Sequence, residues 1–408
     1  MSTIERVSAS RARDYESARR ARSGRGSGRR RINFSLLSIG RGLDVPFCLI
    51  ILVLLAIGIT MMFSASYPVA YYGQGDSYYY LKRQLLFAVI GIVLMLLVSY
   101  LDYHHYHRFA ALILGASYFT LLLVLIIPGQ GDGVHRWMYI GPVGIQASEI
   151  SKFAIILFMA HWGSRYYDKM GTLKYGVLPG AAVFVSTAFL LLLEPHYSCI
   201  VIIALLTVIM MFLSGIKLKW LAIAAAVLAA VIILLWATGM LTYAMERMDG
   251  WGQALDYKNE KQWQQTWQTR NSLYAIGSGG LFGLGLGQSR QKYLYLPEPQ
   301  NDFIFAIVCE ELGLVGAVAI LLIFALLVWR GVVISLRARD RFGKLLGIGL
   351  ISHIGLQVIL NILVITDWLP NTGISLPFFS YGGSSLLMLM FEMGVILSVS
   401  RSSNIEKS

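Results

Sequence analysis

The chain of 408 residues is 56% hydrophobic and only 14% charged, with a mean hydropathy of +0.63, which excludes a water-soluble globular domain. Its formal charge of +12 is mostly a property of the N-terminal tail, where Arg6, Arg11, Arg13, Arg19, Arg20, Arg22, Arg25, Arg29, Arg30, Arg31 and Arg41 are scattered among Gly and Ser. Residues 1–44 read as a disordered cytoplasmic arm near anionic lipid headgroups in preference to a nucleic-acid-binding tail, so no nucleic-acid partner is expected.

Ten apolar spans follow, at about 45–64, 83–100, 109–127, 147–162, 177–193, 197–213, 219–239, 302–329, 345–365 and 383–400, most of them near the ~20 residues that cross a bilayer. The first begins too late for a cleavable signal peptide and is long enough to span. Basic residues recur in alternate linkers: Arg165, Lys169 and Lys174, then Lys217 and Lys219, then Arg337, Arg339, Arg341 and Lys344. The positive-inside rule therefore places both termini in the cytoplasm, and the segments 65–82, 128–146, 240–301 and 366–382 outside. Residues 45–400 are expected to form one ten-helix membrane domain with a large extracytoplasmic loop (240–301) between spans seven and eight, followed by a cytoplasmic tail (401–408). No internal repeat is visible, which weakly disfavours a secondary transporter. Cys48, Cys199 and Cys309 all fall inside predicted spans, so neither a disulfide framework nor a zinc spacing follows.

Taken along the chain, Lys82 and Arg83 head span two as candidate cations for an anionic ligand. The "DYHHYH" cluster at 102–107 has a metal-like composition but lies on the predicted cytoplasmic side, and reads as an interfacial loop. Next, "GVHRWMYIGPVGIQ" sets Arg136 beside Trp137 in a Gly-rich turn, a pair suited to a phosphate and a sugar or lipid. In span four, Glu149 stands three residues before Lys152, within reach on one helix face, and a buried ionic cluster is expected from these two with one of Glu310 or Glu311. A proton or ion path is the alternative reading of the same residues. Glu194, Pro195 and His196 form a short hairpin in which His196 reads as a packed histidine and not a metal ligand.

The large loop supplies Arg270, Arg290 and Lys292 as further cations, together with a glycine run at Gly280, Gly283, Gly285 and Gly287. A nucleotide-binding reading of that run lacks its strand, its helix and its cytoplasmic location. Tight turns, or a segment that re-enters the bilayer, fit better. Span eight opens on Asp302, whose interfacial position suits a carboxylate with a raised pKa for proton transfer. Helical geometry puts Ala306, Cys309, Gly313 and Gly316 beneath Asp302 as a small-residue face for another helix or a substrate chain, with Glu310 and Glu311 turned away. Finally, "DWLPNTGISLPFFSYGGSS" breaks helix at Pro370, Gly373 and Pro377 yet is apolar, as expected of a partly inserted segment lining a cavity.

The stretches "HRWMYIGPVGIQASEISK", "QTRNSLYAIGSGGLFGLGLGQS", "YLPEPQNDFIFAIVCEELG" and "LPNTGISLPFFSYGGSSLL", in this order and among these spans, resemble the SEDS proteins of shape, elongation, division and sporulation, the FtsW/RodA/SpoVE group, with a lean toward the FtsW branch. The resemblance covers about 44–400 and implies an all-α polytopic SEDS-type fold. It implies an inverting peptidoglycan glycosyltransferase that polymerises lipid II at the outer face of the bacterial cytoplasmic membrane, with Asp302 of "DFIFA" as the essential acid and general base. From the matching stretches, Gln146, Ser272 and Ser380 join Lys82, Arg83, Arg136, Trp137, Arg270 and Lys292 as expected substrate-binding residues. No organic cofactor is implied; a divalent cation, Mg or Mn, is an expected aid to the leaving diphosphate, with Asp302 the one ligand named for it. Expected partners are lipid II, the growing lipid-linked strand, a class B penicillin-binding protein and other membrane proteins of the division or elongation complex. Two departures stand out: Asn301 precedes Asp302 where the family has Thr or Ser, and "EPHYSC" carries His196 where the family more often has an acid. A lipid II flippase and a non-catalytic division scaffold are the competing functions.

Overall fold

The computed structural model describes residues 43–126, 136–140, 143–220, 222–224, 226, 251–256 and 260–403, and the expectations for the tail, for residues 227–250 and for the last five residues lie outside them. Asp44 caps the first helix, α1 (Val45–Gln74), accepting a bond from the Phe47 amide, and is held in turn by Arg330 at 2.7 Å. Gly75, in a left-handed conformation, ends that helix. Then come α2 (Tyr79–Tyr100), α3 (His104–Ile126), a two-stranded antiparallel hairpin of β1 (Trp137–Ile140) and β2 (Val143–Gln146), and α4 (Ala147–Arg165), which starts directly from β2. After these run α5 (Leu178–Leu193), α6 (Tyr197–Leu213), the short α7 (Glu260–Gln265), α8 (Trp267–Ser278), α9 (Ile304–Leu336), α10 (Arg341–Ile365) and α11 (Gly383–Ser402).

Seven helices among the described residues are long and apolar enough to cross a membrane, which makes this a multi-pass membrane protein. The seven are α1, α2, α3, α5 with the π-turn before it, α9, α10 and α11. Predicted spans four and six are the helices α4 and α6, while most of span seven lies outside the described residues. The central helices are the most enclosed, and α4 is buried along most of its length. Glycine allows the closest contacts, as expected where lipid gives helices no hydrophobic drive to associate. At Gly394 of α11 a Cβ would lie 2.7 Å from the Met95 carbonyl of α2, and at Gly58 of α1 it would lie 2.3 Å from the Phe378 carbonyl.

Predicted span eight differs from expectation in one respect. The helix α9 is interrupted at Gly313, whose φ of 66° and ψ of −171° are non-helical. The face drawn through Ala306, Cys309, Gly313 and Gly316 is therefore not continuous. The large loop comes against it: a Cβ on Gly279 would lie 2.0 Å from the Cys309 carbonyl, and one on Gly283 would lie 2.1 Å from the Glu311 carbonyl. At the opposite end of the bundle, Asp340 caps α10 and accepts from Tyr103, and His104 bonds Asp102, so the 102–107 cluster is spent on packing the start of α3.

Candidate active site

Asp302 stands just ahead of α9 and is positioned by its backbone. The Asn361 side chain, near the C-terminal end of α10, donates to the Asp302 carbonyl at 2.7 Å and to the Ile374 carbonyl at 2.6 Å. Ser380 donates to the Asn301 carbonyl at 2.8 Å while accepting from the Leu376 amide at 2.7 Å, and the Tyr381 amide reaches the Gln300 carbonyl. The segments 300–302 and 374–381 are thus stapled together. The second one is non-helical over Leu376–Ser380 but buries Ile374, Leu376, Phe378 and Phe379, and its flanks line a cavity, as the sequence led one to expect. Gly373 (φ 70°) lies against the carboxylate itself: a Cβ there would sit 2.9 Å from Asp302 Oδ2.

Asp302 faces a cavity of about 570 Å³. Its own wall carries Glu298, Asn301 and Gly373; other parts of the lining carry Arg83, Arg136, Trp137 and Gln146, with Tyr79, Tyr80 and Tyr381 between; Glu149, Lys152, His196 and Ser198 line it as well. Burial pushes the Asp302 carboxyl up to about 6; the neighbouring Glu298 adds to this and Arg136 opposes it. Arg136 donates to the Glu194 and Pro195 carbonyls, which fixes it to the 194–196 hairpin. The Glu194 carboxyl is buried with neither oxygen bonded, and burial lifts it to about 8 despite Arg136; burial and Arg136 push His196 down to about 3. At neutral pH both are uncharged, so the hairpin's own side chains leave the positive field of Arg136 intact.

The structure brings together seven of the residues singled out in the sequence, Asp302, Arg83, Arg136, Trp137, Gln146, Glu149 and Lys152, around one cavity. Ser380 lines a smaller adjoining space of about 20 Å³ and acts through Asn301. Four others are elsewhere. Lys82 pairs with Asp76 at 2.8 Å on the surface. Arg270 is buried against the Trp263 and Trp267 rings and donates to the Trp263 carbonyl, and Ser272 donates to the Ile365 carbonyl. Lys292 is fully buried and pairs with Glu311 at 2.7 Å.

That last pair corrects the expected ionic cluster. Lys152 does bind Glu149, at 2.8 Å, but Glu310 and Glu311 belong to a separate network. Glu311 accepts from Lys292, Ser64 and the Gly287 amide; Glu310 accepts from Ser289, Ser278 and the Arg290 amide. Both acids face the folded large loop and α1, because the loop itself descends beside α9 and delivers its own lysine. On the other side of Lys152, the Glu149 end adjoins a second buried pair, Glu392 with His353 at 3.0 Å, across the small space. Sequence reading missed Asn361 and Glu298 and took Gly373 only as a helix breaker of a cavity-lining segment; a lone Asn in the apolar run 345–365 was the available signal for Asn361.

Among the described residues there is no group of three or more His, Cys, Asp or Glu side chains able to hold a metal ion. A protein-only cage is thus missing there, but the paired acids Asp302 and Glu298 on one cavity wall fit a cation of the Mg type, which commonly takes one or two carboxylates together with substrate phosphates.

A bundle of apolar helices around a polar cavity, lined by Asp302, Glu298 and Glu149 together with Arg83, Arg136 and Lys152, defines a multi-pass membrane protein with a charged site at one end of its bundle. The chain belongs to the FtsW/RodA/SpoVE family, described as cell cycle proteins, whose profile matches residues 46–405. It is similar to stage V sporulation protein E of Bacillus subtilis, 40% identical over 365 residues that cover 88% of this chain and 97% of that protein. It is also 36% identical to a probable peptidoglycan glycosyltransferase FtsW of Trichlorobacter lovleyi over 361 residues, 88% of this chain and 93% of that one. The fold matches that of the rod shape determining protein RodA of Thermus thermophilus (TM-score 0.65, 24% identity, 90% of this chain and 99% of that chain) and a chain of a peptidoglycan synthase complex (TM-score 0.70, 22% identity, the same coverage).

Proposed function

We propose that this protein is a peptidoglycan glycosyltransferase that polymerises lipid II for cell division or cell shape. The observation that carries this reading is Asp302, a carboxylate poised near 6 on the wall of a cavity that also holds Arg83 and Arg136. Relatives named as probable peptidoglycan glycosyltransferases, together with the family match, support it. In the reaction a sugar hydroxyl attacks the anomeric carbon of the neighbouring unit. The new C–O bond forms as the bond to the lipid diphosphate breaks, with inversion, and Asp302 accepts the hydroxyl proton. Arg83 and Arg136 face the charge that develops on the departing diphosphate, and the Arg136 anchor at the 194–196 hairpin keeps it there. Trp137 and Gln146, cross-strand partners at the open end of the hairpin, and Lys152 with Glu149 complete the lining as substrate contacts and electrostatic support. Asp302 and Glu298 are the residues that would hold a divalent cation, whose chemistry there is to neutralise diphosphate oxygens.

The finer topology belongs to the same proposal: ten spans, both termini in the cytoplasm of a bacterial inner membrane, and residues 240–301 with the Asp302 end of the bundle facing outward. The donor and acceptor are both lipid-tethered, which suits a reaction centre at the head of a span. A class B penicillin-binding protein is the proposed partner; a structural neighbour comes from a complex described as coordinating polymerisation and crosslinking. The deciding experiment supplies lipid II to the purified protein in proteoliposomes with Mg or Mn. Wild type is expected to make polymer and Asp302→Asn to bind lipid II without polymerising it. Full polymer from Asp302→Asn would remove the general base; movement of lipid II across the bilayer without any polymer would favour the flippase.

A further inference from the structure

The glycine segment that fills the break in α9 lies at a depth that can be measured against α1. Leu284 and Gly285 donate their amides to the Glu310 and Glu311 carbonyls at 2.9 and 3.0 Å, and the Leu314 and Val315 amides donate to the Gly280 and Leu281 carbonyls at 2.9 and 3.1 Å. The backbone groups freed by the non-helical Gly313 are satisfied by this segment, the arrangement that lets irregular backbone exist at membrane depth. Glu311 in turn receives the Ser64 hydroxyl of α1. Ser64 is seven residues short of Tyr71, which with Tyr72 forms an exposed aromatic end to that helix. Such tyrosines mark the bilayer interface, and at 1.5 Å per residue the Ser64 level is ~10 Å inward of Tyr71. The Lys292 amine, beneath the Tyr67 ring at 4.9 Å, reaches the same level to meet Glu311.

At that level the segment turns apolar side chains away from the protein. Phe282 is 81% exposed, and Leu281 and Leu286 are more than half exposed. They continue an exposed stripe on α9 itself, Leu314, Val315 and Val318. We infer that residues 280–287 are a re-entrant element immersed in the hydrocarbon of the leaflet on the Asp302 side, with Phe282 in contact with lipid acyl chains. The occupant of this face is lipid, because the face is continuous with a spanning helix and lies below the aromatic level. The buried Lys292–Glu311 pair is then the mooring that holds a loop down in the bilayer. This inference rests on the membrane-spanning fold and not on the proposed activity.

The test uses the full-length protein in vesicles of phosphatidylethanolamine and phosphatidylglycerol carrying a trace of phosphatidylcholine with a mid-chain diazirine. After photolysis, acyl adducts are expected on Phe282 in a yield comparable with Val318, while hydroxyl radicals generated in the aqueous phase leave Phe282 unmodified. Oxidation of Phe282 without an acyl adduct places the segment above the bilayer and overturns the inference. A Phe282 that takes neither label is covered by protein and overturns it equally.

Discussion

Asp302 has few ways to move. Its backbone carbonyl is bonded, its neighbour Asn301 is held by Ser380, and Gly373 closes on its carboxylate. A methyl at position 373 would meet Oδ2 at 2.9 Å, on a backbone with φ of 70° that disfavours a side chain. Gly373→Ala is therefore expected to lower kcat by ~10–100-fold with a smaller change in KM, since displacing a reacting group by ~1 Å has that order of effect. Steady-state polymerisation kinetics read the split. The pH dependence has a defined sign. A base must be ionised to act, so activity is expected to fall on the acid side of about 6, the value set by burial and Glu298. A rate profile that stays flat down to pH ~4, the range of an ordinary Asp, would rule out Asp302 as the titrating base. Stability runs the other way. A raised carboxyl pKa means the folded state holds the proton more tightly, so its contribution is present below the ordinary value of 3.8 and lost as pH rises through about 6. Asp302→Asn, neutral at every pH, is expected to melt above wild type at neutral pH while losing ~10²–10⁴-fold in rate.

At the scale of elements, the glycine segment and α9 are one structure made from two stretches of chain. Gly313→Ala would bring a Cβ to 2.3 Å from the Gly283 amide on backbone that only glycine adopts easily. A loss of ~3 kcal/mol or more is expected, read by thermal unfolding in detergent. Lys292→Met leaves Glu311 buried with its charge uncompensated, for which ~3–5 kcal/mol is the usual cost. Adding Glu311→Gln to that variant is expected to recover a large part of the loss, because the charge goes while the bond from Ser64 can still form. If the double variant is no more stable than the single one, the ion pair is not what holds the segment. These relations explain what the sequence could and could not reveal. The acids at 302, 310 and 311 and the glycine run were all visible as oddities in an apolar stretch, and Glu149–Lys152 followed from helical spacing alone. The partners of Glu310 and Glu311 did not follow, because their identity depends on a loop folding back beside its own following helix. Helical periodicity describes an uninterrupted helix, and Gly313, with its positive φ, breaks that regularity just past Glu311.

For the whole molecule, composition and the basic linkers were enough to specify a helical membrane protein, since bilayer thickness and backbone satisfaction leave few options. Cavity membership was less accessible. Arg83, Arg136, Asp302 and Lys152 come from helix ends or hairpins distant in sequence, whereas Arg270 and Lys292, equally basic and equally close to family-like stretches, face inward to Trp rings and to Glu311. The packing of α2 on α11 ties the bundle to the cavity, because α2 carries Arg83 at its head and α11 follows the 374–381 segment. Gly394→Leu would drive a side chain toward the Met95 carbonyl and Val98 of α2. Reduced thermal stability together with a raised KM for lipid II is the expected result; a purely structural effect would leave KM unchanged in the fraction that remains folded.

One amide on α10 carries both lips of the Asp302 wall, since Asn361 binds the carbonyls of residues 302 and 374 together. A tilt or slide of α10 therefore shifts the two lips as a unit and leaves the gap between them unchanged. On α2, Gln84 beside Arg83 is itself bonded to Ser380 and Gly382, so the width of the cavity is left to the other side, where Arg136 hangs from the 194–196 hairpin. A protein that gripped α10 would carry the acid along like a jaw on a fixed carriage; one that pulled on the Arg136 hairpin would change the bite.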